Sequence, residues 1–287
     1  MARRHTVTPP NAKPRKPRKR HARISRFQRS VHFVKGGYAR FRSAPNTIQV
    51  VLGLVIVATL AIAANWLYQV VRKPSELFFP VSGVLFKTPP ETWREYAPIF
   101  RAHATAVMTP ELLAALAQVE ASGNPVARTY WRWSFSIEPF KIYRPASSAV
   151  GMYQITDGTF AEARRYCIHD HRVAEAGRWN ELHSCWFNDL YMRVVPSHAV
   201  EMTAANLDHQ VTKLLTRRGI GTATVRQKQD LAIVIHLCGA GAGAAYVGRG
   251  LQFRPDQRCG DHDPRTYLAR VHAFEQVFAR LNASDEQ

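Results

Sequence analysis

The longest unbroken apolar stretch of the chain runs over residues 47–71, Thr-Ile-Gln-Val-Val-Leu-Gly-Leu-Val-Ile-Val-Ala-Thr-Leu-Ala-Ile-Ala-Ala-Asn-Trp-Leu-Tyr-Gln-Val-Val, with no Asp, Glu, Lys, Arg or His. As a helix it would be roughly 37 Å long at about 1.5 Å per residue, enough to cross a bilayer core with some tilt. Trp66 and Tyr68 stand near its C-terminal end, where amphipathic rings favour the headgroup layer. Ala61-Ile62-Ala63 has the small-x-small form that a signal peptidase accepts. The leader of more than forty residues and the continuation of the apolar run to Val71 favour an uncleaved anchor.

Beyond residue 73 the periodicity becomes that of amphipathic helices. Thr109-Pro110-Glu111 opens one, with a hydroxyl cap, a proline at the first position and an acid in the first turn. Leu113, Leu116, Ala117 and Glu120 then share a face at spacings of 3, 4 and 7. Further helices are expected over 157–167, 199–215 and 229–237, the last apolar enough to be buried on every side. A final one over 264–281 carries the stripe Tyr267, Leu268, Val271, Phe274, Val277, Phe278 and Leu281. No run of period-two alternation defines a strand, although the aromatic stretch 130–142 suits a short hairpin. The expected organisation is a basic tail (1–46), a membrane helix (47–71), a juxtamembrane stretch with Pro74, Pro80, Pro89 and Pro90 (72–95) that reads as a linker or an irregular packing arm, and a mainly α domain (96–287).

Charge changes this picture only at the N-terminus. Sixteen of the 39 Lys and Arg lie in residues 1–73, which hold no Asp or Glu, leaving 23 basic against 21 acidic residues beyond. The basic character belongs to the tail, which is too poor in large apolar residues to fold and is expected to be disordered. It is read as a positive-inside signal, with the tail in the cytoplasm and the domain periplasmic, outside the cytoplasmic membrane, rather than as a nucleic-acid site. The four cysteines, Cys167, Cys185, Cys238 and Cys259, all follow the apolar run, as suits an oxidising compartment. Three disulfide pairings are open to them; proximity in sequence favours Cys167–Cys185 and Cys238–Cys259, and four buried thiols are the alternative.

The residue with the most chemical content is Glu120, a carboxylate on the apolar face of its helix near the C-terminal end. Lost hydration and the negative end of the helix dipole are expected to raise its pKa, as a general acid requires. It opens the run Glu120-Ala121-Ser122-Gly123-Asn124-Pro125, and Ser147-Ser148-Ala149-Val150-Gly151-Met152-Tyr153-Gln154 follows. Together these resemble the soluble lytic transglycosylases, relatives of goose-type lysozyme, over roughly residues 100–250.

That resemblance implies a mainly α, lysozyme-like domain that cleaves the bond between N-acetylmuramic acid and N-acetylglucosamine in peptidoglycan, with a 1,6-anhydro product. It implies Glu120 as acid and base, Asn124 as the residue fixing the turn behind it, Gly151 as the point of close backbone approach to sugar, and Tyr153 and Gln154 as substrate contacts beside Ser148. His236-Leu237-Cys238-Gly239 falls where the family carries Tyr-Asn-Ala-Gly, and Tyr246 or His236 is the replacement for that tyrosine. Of the aromatic cluster 130–135, Trp131 is taken to line the cleft. Ordinary glycosidases use two carboxylates. Here Asp157 reads as a helix N-terminal residue, and in the resembled family the substrate's N-acetyl oxygen supplies the second group.

A hydrolysing muramidase and a catalytically weak cell-wall binding or scaffold protein are the alternatives. Two other signals are set aside. The run 231–243 with Asp261 imitates a dinucleotide-binding turn, but Gly248, Gly250 and Pro255 interrupt the helix such a unit needs. His169-Asp170-His171 has no recognised zinc spacing and reads as a charged turn. No cofactor or metal is expected. The expected partners are glycan strands, the membrane through residues 47–71, and a secretion or cell-envelope machine.

Overall fold

A run with no charge to solvate and no proline to break it forms one helix, α1 (Asn46–Arg72). By length and composition it can cross a membrane, and none of its most apolar stretch is buried against protein. The computed structural model describes residues 45–177 and 184–285. The chain divides inside α1 into two units, Met1–Ala63 and Ala64–Gln287. Apart from Pro45 and Asn46, the basic tail lies outside the described residues.

The second unit is mainly helical. Its first segment departs from the expected juxtamembrane stretch over 72–95. A 3-10 turn (Pro74–Phe78) and the short α2 (Phe79–Ser82) lead to α3 (Pro89–Ala102), which begins inside that range. Thr88 N donates to Glu91 Oε2 at 2.8 Å and fixes the start of α3. Glu76 and Lys73 are buried in this segment. Glu76 meets Lys73 at 3.3 Å and Arg128 at 3.1 Å, and it accepts from Trp131 Nε1 at 2.9 Å. Of the two readings of this stretch, buried charge with its own partners decides for a packed arm.

The core forms around α4 (Pro110–Ala121), whose residues Leu112 to Gln118 are all buried. Thr109 caps it, accepting from Leu112 N, as its sequence predicts. Against it pack α3, and α8 (Pro264–Asp285), which buries Val271 and Phe278. Each large apolar side chain so buried contributes about 1.5–3 kcal/mol. α6 (Pro196–Arg217) and α7 (Val225–Gly248) close the other side. α7 is also long and apolar enough to cross a membrane, but Leu231 to Ile235 are buried in the core and the backbone breaks at Gly239, with φ 82°. Past that break a Cβ at Gly243 would meet Ile235 Cγ1 at 2.5 Å, so the absence of a side chain there lets the two halves of the helix come close.

The helix expected over 157–167 is shorter. α5 (Asp157–Ala163) ends before β3 (Tyr166–His169), which pairs with β4 (Arg172–Glu175). Asp170 and His171, set aside above as a metal site, make the turn with φ of 48° and 61°. That is the geometry of a two-residue hairpin turn, written without the glycine that announces one. The aromatic stretch does form a hairpin, β1 (Trp131–Trp133) with β2 (Tyr143–Pro145), its second strand lying just beyond the expected range. Two disulfides join Cys167 to Cys185 and Cys238 to Cys259, the pairing favoured by proximity.

Candidate active site

α4 ends where Ser122 and Gly123 take left-handed backbone, with φ of 48° and 65°. Gly123 N donates to Ala117 O at 3.1 Å and Ser122 N to Gln118 O at 3.0 Å, which satisfies the last carbonyls of the helix. Asn124, fully buried, then locks the turn: Oδ1 accepts from Val126 N at 3.0 Å and Nδ2 donates to Ser82 O at 2.5 Å. Glu120 is held in the last turn before this lock. Its side chain is 17% exposed.

It lies in the wall of a cavity of about 610 Å³. Each side contributes polar groups: Gln154 from the loop before α5, Glu162 from α5, Asn206 and Gln210 from α6, His236 from α7 and His262 from the loop before α8. His236 Nε2 is 3.4 Å from Glu120 Oε1, and the Tyr267 hydroxyl donates to the same oxygen. Burial pushes the Glu120 carboxyl up. The hydrogen bond and charge of His236, the Tyr267 hydroxyl and His262 outweigh it and hold the group below the usual carboxylate range. This corrects the expectation of a raised pKa, which counted burial and the helix dipole but not the donors brought in from α7 and α8. Burial, with the Glu120 charge and hydrogen bond, raises the Tyr267 phenol well above its ordinary value, so it stays a donor.

On the α6 wall, Thr203 Oγ1 and Gln210 Oε1 are buried without a hydrogen-bond partner. Both residues belong to the cavity lining. Among the described residues no group of three or more His, Cys, Asp or Glu could hold a metal ion.

The other sequence-derived site residues are placed as follows. Gln154, with φ 47°, lines the cavity and donates through Nε2 to Gly151 O at 2.9 Å. Tyr153 underlies the cavity but is wholly buried, its hydroxyl donating to Leu113 O at 3.1 Å, so it supports the floor rather than meeting a ligand. Gly151 does permit a close backbone approach, with φ 81°, but the neighbour is protein: a Cβ would stand 2.3 Å from Arg193 O. Ser148 Oγ accepts from Asp157 N at 3.1 Å at the start of α5, and it is Ser147 that lines the cavity. Asp157 is a helix N-terminal residue, paired with Arg193 at 2.8 Å.

Trp131 and Tyr246 fall outside the cavity lining. Trp131 is turned to Glu76, and Tyr246 is buried against Phe253, 4.8 Å between ring centroids. Of the two replacements considered for the family tyrosine, the fold brings His236 to Glu120 and not Tyr246. Tyr267, His262 and Glu162 were not singled out in the sequence. The one available signal was the phenol of Tyr267, a polar tip on an otherwise apolar stripe.

No protein-family model matches this chain, and no curated protein matches it.

Proposed function

We propose that the domain beyond α1 is a lysozyme-like enzyme of the lytic transglycosylase kind, which cleaves peptidoglycan strands with Glu120 as acid and base. α1 crosses the cytoplasmic membrane with the basic tail inside and the domain on the periplasmic side, within reach of cell-envelope machinery. The observation that carries this reading is a largely buried carboxylate at a locked helix end, set in the wall of a polar cavity large enough for sugar rings and hydrogen-bonded by residues of α7 and α8.

The chemistry begins with a proton on Glu120. The carboxyl gives it to the glycosidic oxygen, and that bond to C1 of the muramoyl residue breaks while the N-acetyl oxygen closes on C1. The carboxylate then takes the proton of the muramoyl 6-hydroxyl, whose oxygen displaces the N-acetyl oxygen and leaves an anhydro ring. Glu120 ends as it began, protonated. Because its neighbours favour the anion in the empty cavity, the proton is taken up as substrate enters and replaces water, adding to desolvation.

One observation favours a second reading. Glu162, on the exposed face of α5, is another carboxylate of the cavity lining, and a hydrolase would use it to activate water. Mass spectrometry of fragments released from isolated sacculi by the full-length protein tests both. Anhydro ends, lighter by one water, with Glu120→Gln losing about 10²–10⁴ of the rate and Glu162→Gln retaining it, support transglycosylation. Reducing ends, with loss of activity in both variants, transfer the reading to a hydrolase. Equal behaviour of wild type and Glu120→Gln ends the catalytic proposal and leaves a cell-wall binding protein.

A further inference from the structure

Beyond α1, the hairpin β1–β2 carries a conspicuous group of exposed apolar side chains. Phe135 and Ile137 at its tip are fully exposed, at 113% and 102%, and Trp133 and Tyr130 are 76% and 74% exposed. The strand register places Trp131 and Trp133 across from Pro145 and Tyr143 on one face, and Arg132 across from Arg144 on the other. The rings of Trp131 and Trp133 lie 5.1 and 4.6 Å from that of Tyr143. None of these aromatics lines the cavity around Glu120. Apolar groups this bare on a built element mark a surface that meets something else.

What it meets is indicated by where the hairpin is fastened. Asn65 Nδ2 donates to Tyr143 O at 2.8 Å and Gln69 Nε2 to Phe140 O at 2.7 Å. Between them Tyr68 stacks on Phe140, with 4.8 Å between centroids. The hairpin is thus bound to the last turns of the apolar helix, over about 6 Å of its axis at roughly 1.5 Å per residue. A bilayer core takes about 20 helical residues; counted from Ile48 these reach Leu67, between the two amides. The fastening therefore lies at the outer edge of the hydrocarbon. Trp and Tyr favour that depth. Leu77, Phe78 and Val81, just after the helix, are exposed as well, and Glu76 ties their segment to Trp131.

We infer that the β1–β2 hairpin is a second membrane contact, its apolar tip at Phe135 and Ile137 inserted among the lipids of the outer leaflet of the bilayer that α1 crosses. The inference rests on the proposed crossing by α1. Two attachments, a helix and a wedge hydrogen-bonded to its end, restrict rotation of the domain about the tether and hold it at the membrane surface.

The test uses the full-length protein in vesicles of phosphatidylethanolamine and phosphatidylglycerol, with the photoreactive residue p-benzoylphenylalanine substituted singly at Phe135, Ile137, Leu54 or Val225. Leu54 lies in the apolar helix, and Val225 is an exposed residue, 55%, at the start of α7. After irradiation, peptide mass spectrometry should find lipid adducts at Leu54, Phe135 and Ile137, several-fold above Val225. Labelling at Leu54 without labelling at Phe135 and Ile137 would overturn the inference and leave the anchor standing. Failure at Leu54 would remove the crossing and the inference with it. Equal labelling at Val225 would also overturn it, since exposure alone would then explain the adducts, as would adducts at Phe135 and Ile137 formed with protein or glycan instead of lipid.

Discussion

Glu120 is drawn in two directions, since burial favours its proton and the donors around it favour its charge. With the donors prevailing, the protonated form that the proposed first step needs becomes scarcer as pH rises through a range below that of an ordinary carboxylate. The rate kcat/KM should therefore fall on its alkaline side with the titration of Glu120. His236→Gln removes the larger opposing influence, so burial regains weight, the carboxyl rises, and the falling limb moves to higher pH. Tyr267→Phe moves it the same way by less. Sacculus solubilisation measured across the acidic and neutral range reads this directly, and a limb that stays put or moves to lower pH would reject the electrostatic account. Glu120, the turn behind it and Gln154, which the structure sets at one cavity, were legible in the sequence because helical spacing and two short motifs are local. The sequence did not disclose Tyr267 or His262. Their role depends on α8 packing against α4 across more than 140 residues of chain, and nothing in a helical stripe says which polar tip will meet a carboxylate.

Between elements, α7 and α8 are clasped by a charged cluster away from the cavity. His272 on α8 lies 2.9 Å from Asp230 on α7 and 3.2 Å from Glu275, and Arg226 completes it at 2.5 Å from Glu275. The hydrogen bonds to Asp230 and Glu275 raise the His272 imidazole to about 9, from an ordinary value near 6.5. A group whose pKa is raised by folding adds stability that is complete below its unfolded value and is lost as pH climbs through the folded one. The melting temperature should accordingly decline between about pH 6.5 and pH 9, and His272→Asn should melt lower at neutral pH and lack that slope. Parallel slopes in the two proteins would show that the clasp does not titrate as described. Elements with long apolar periods were legible in the sequence: α4, α6 and α8 lie where expected, and α7 covers the expected 229–237 but continues to Gly248 past the break at Gly239. β3 and β4 were not, because a four-residue strand has too few positions to show a period and its turn is built from Asp and His.

For the molecule as a whole, the segment after α1 is a structural joint. Lys73 reaches the carbonyl oxygens of Ser147 and Ala149 at 3.2 and 3.0 Å, so the end of the apolar helix is tied to the loop that leads to Gln154. Burial lowers the Lys73 ammonium, and Glu76 counters that effect. Glu76→Ala would remove the carboxylate that balances the buried Lys73 ammonium and the half-buried Arg128 guanidinium, at a cost of about 3–5 kcal/mol. Denaturant unfolding of the full chain in detergent should show a loss of that order, and a change under about 1 kcal/mol would mean that water already shares the site. Composition made the apolar helix legible and left this joint open between a linker and a packing arm, since four prolines in a short stretch read the same whether the chain is packed or free. The Cys238–Cys259 bridge reaches further than packing. It follows His236 by two residues and precedes His262 by three, so a covalent staple sets the register of the two imidazoles that bias Glu120 toward its anion. Cleaving that bridge would free the two segments from each other, so the acid strength of the cavity carboxyl should depend on the redox state of a bond that touches neither oxygen.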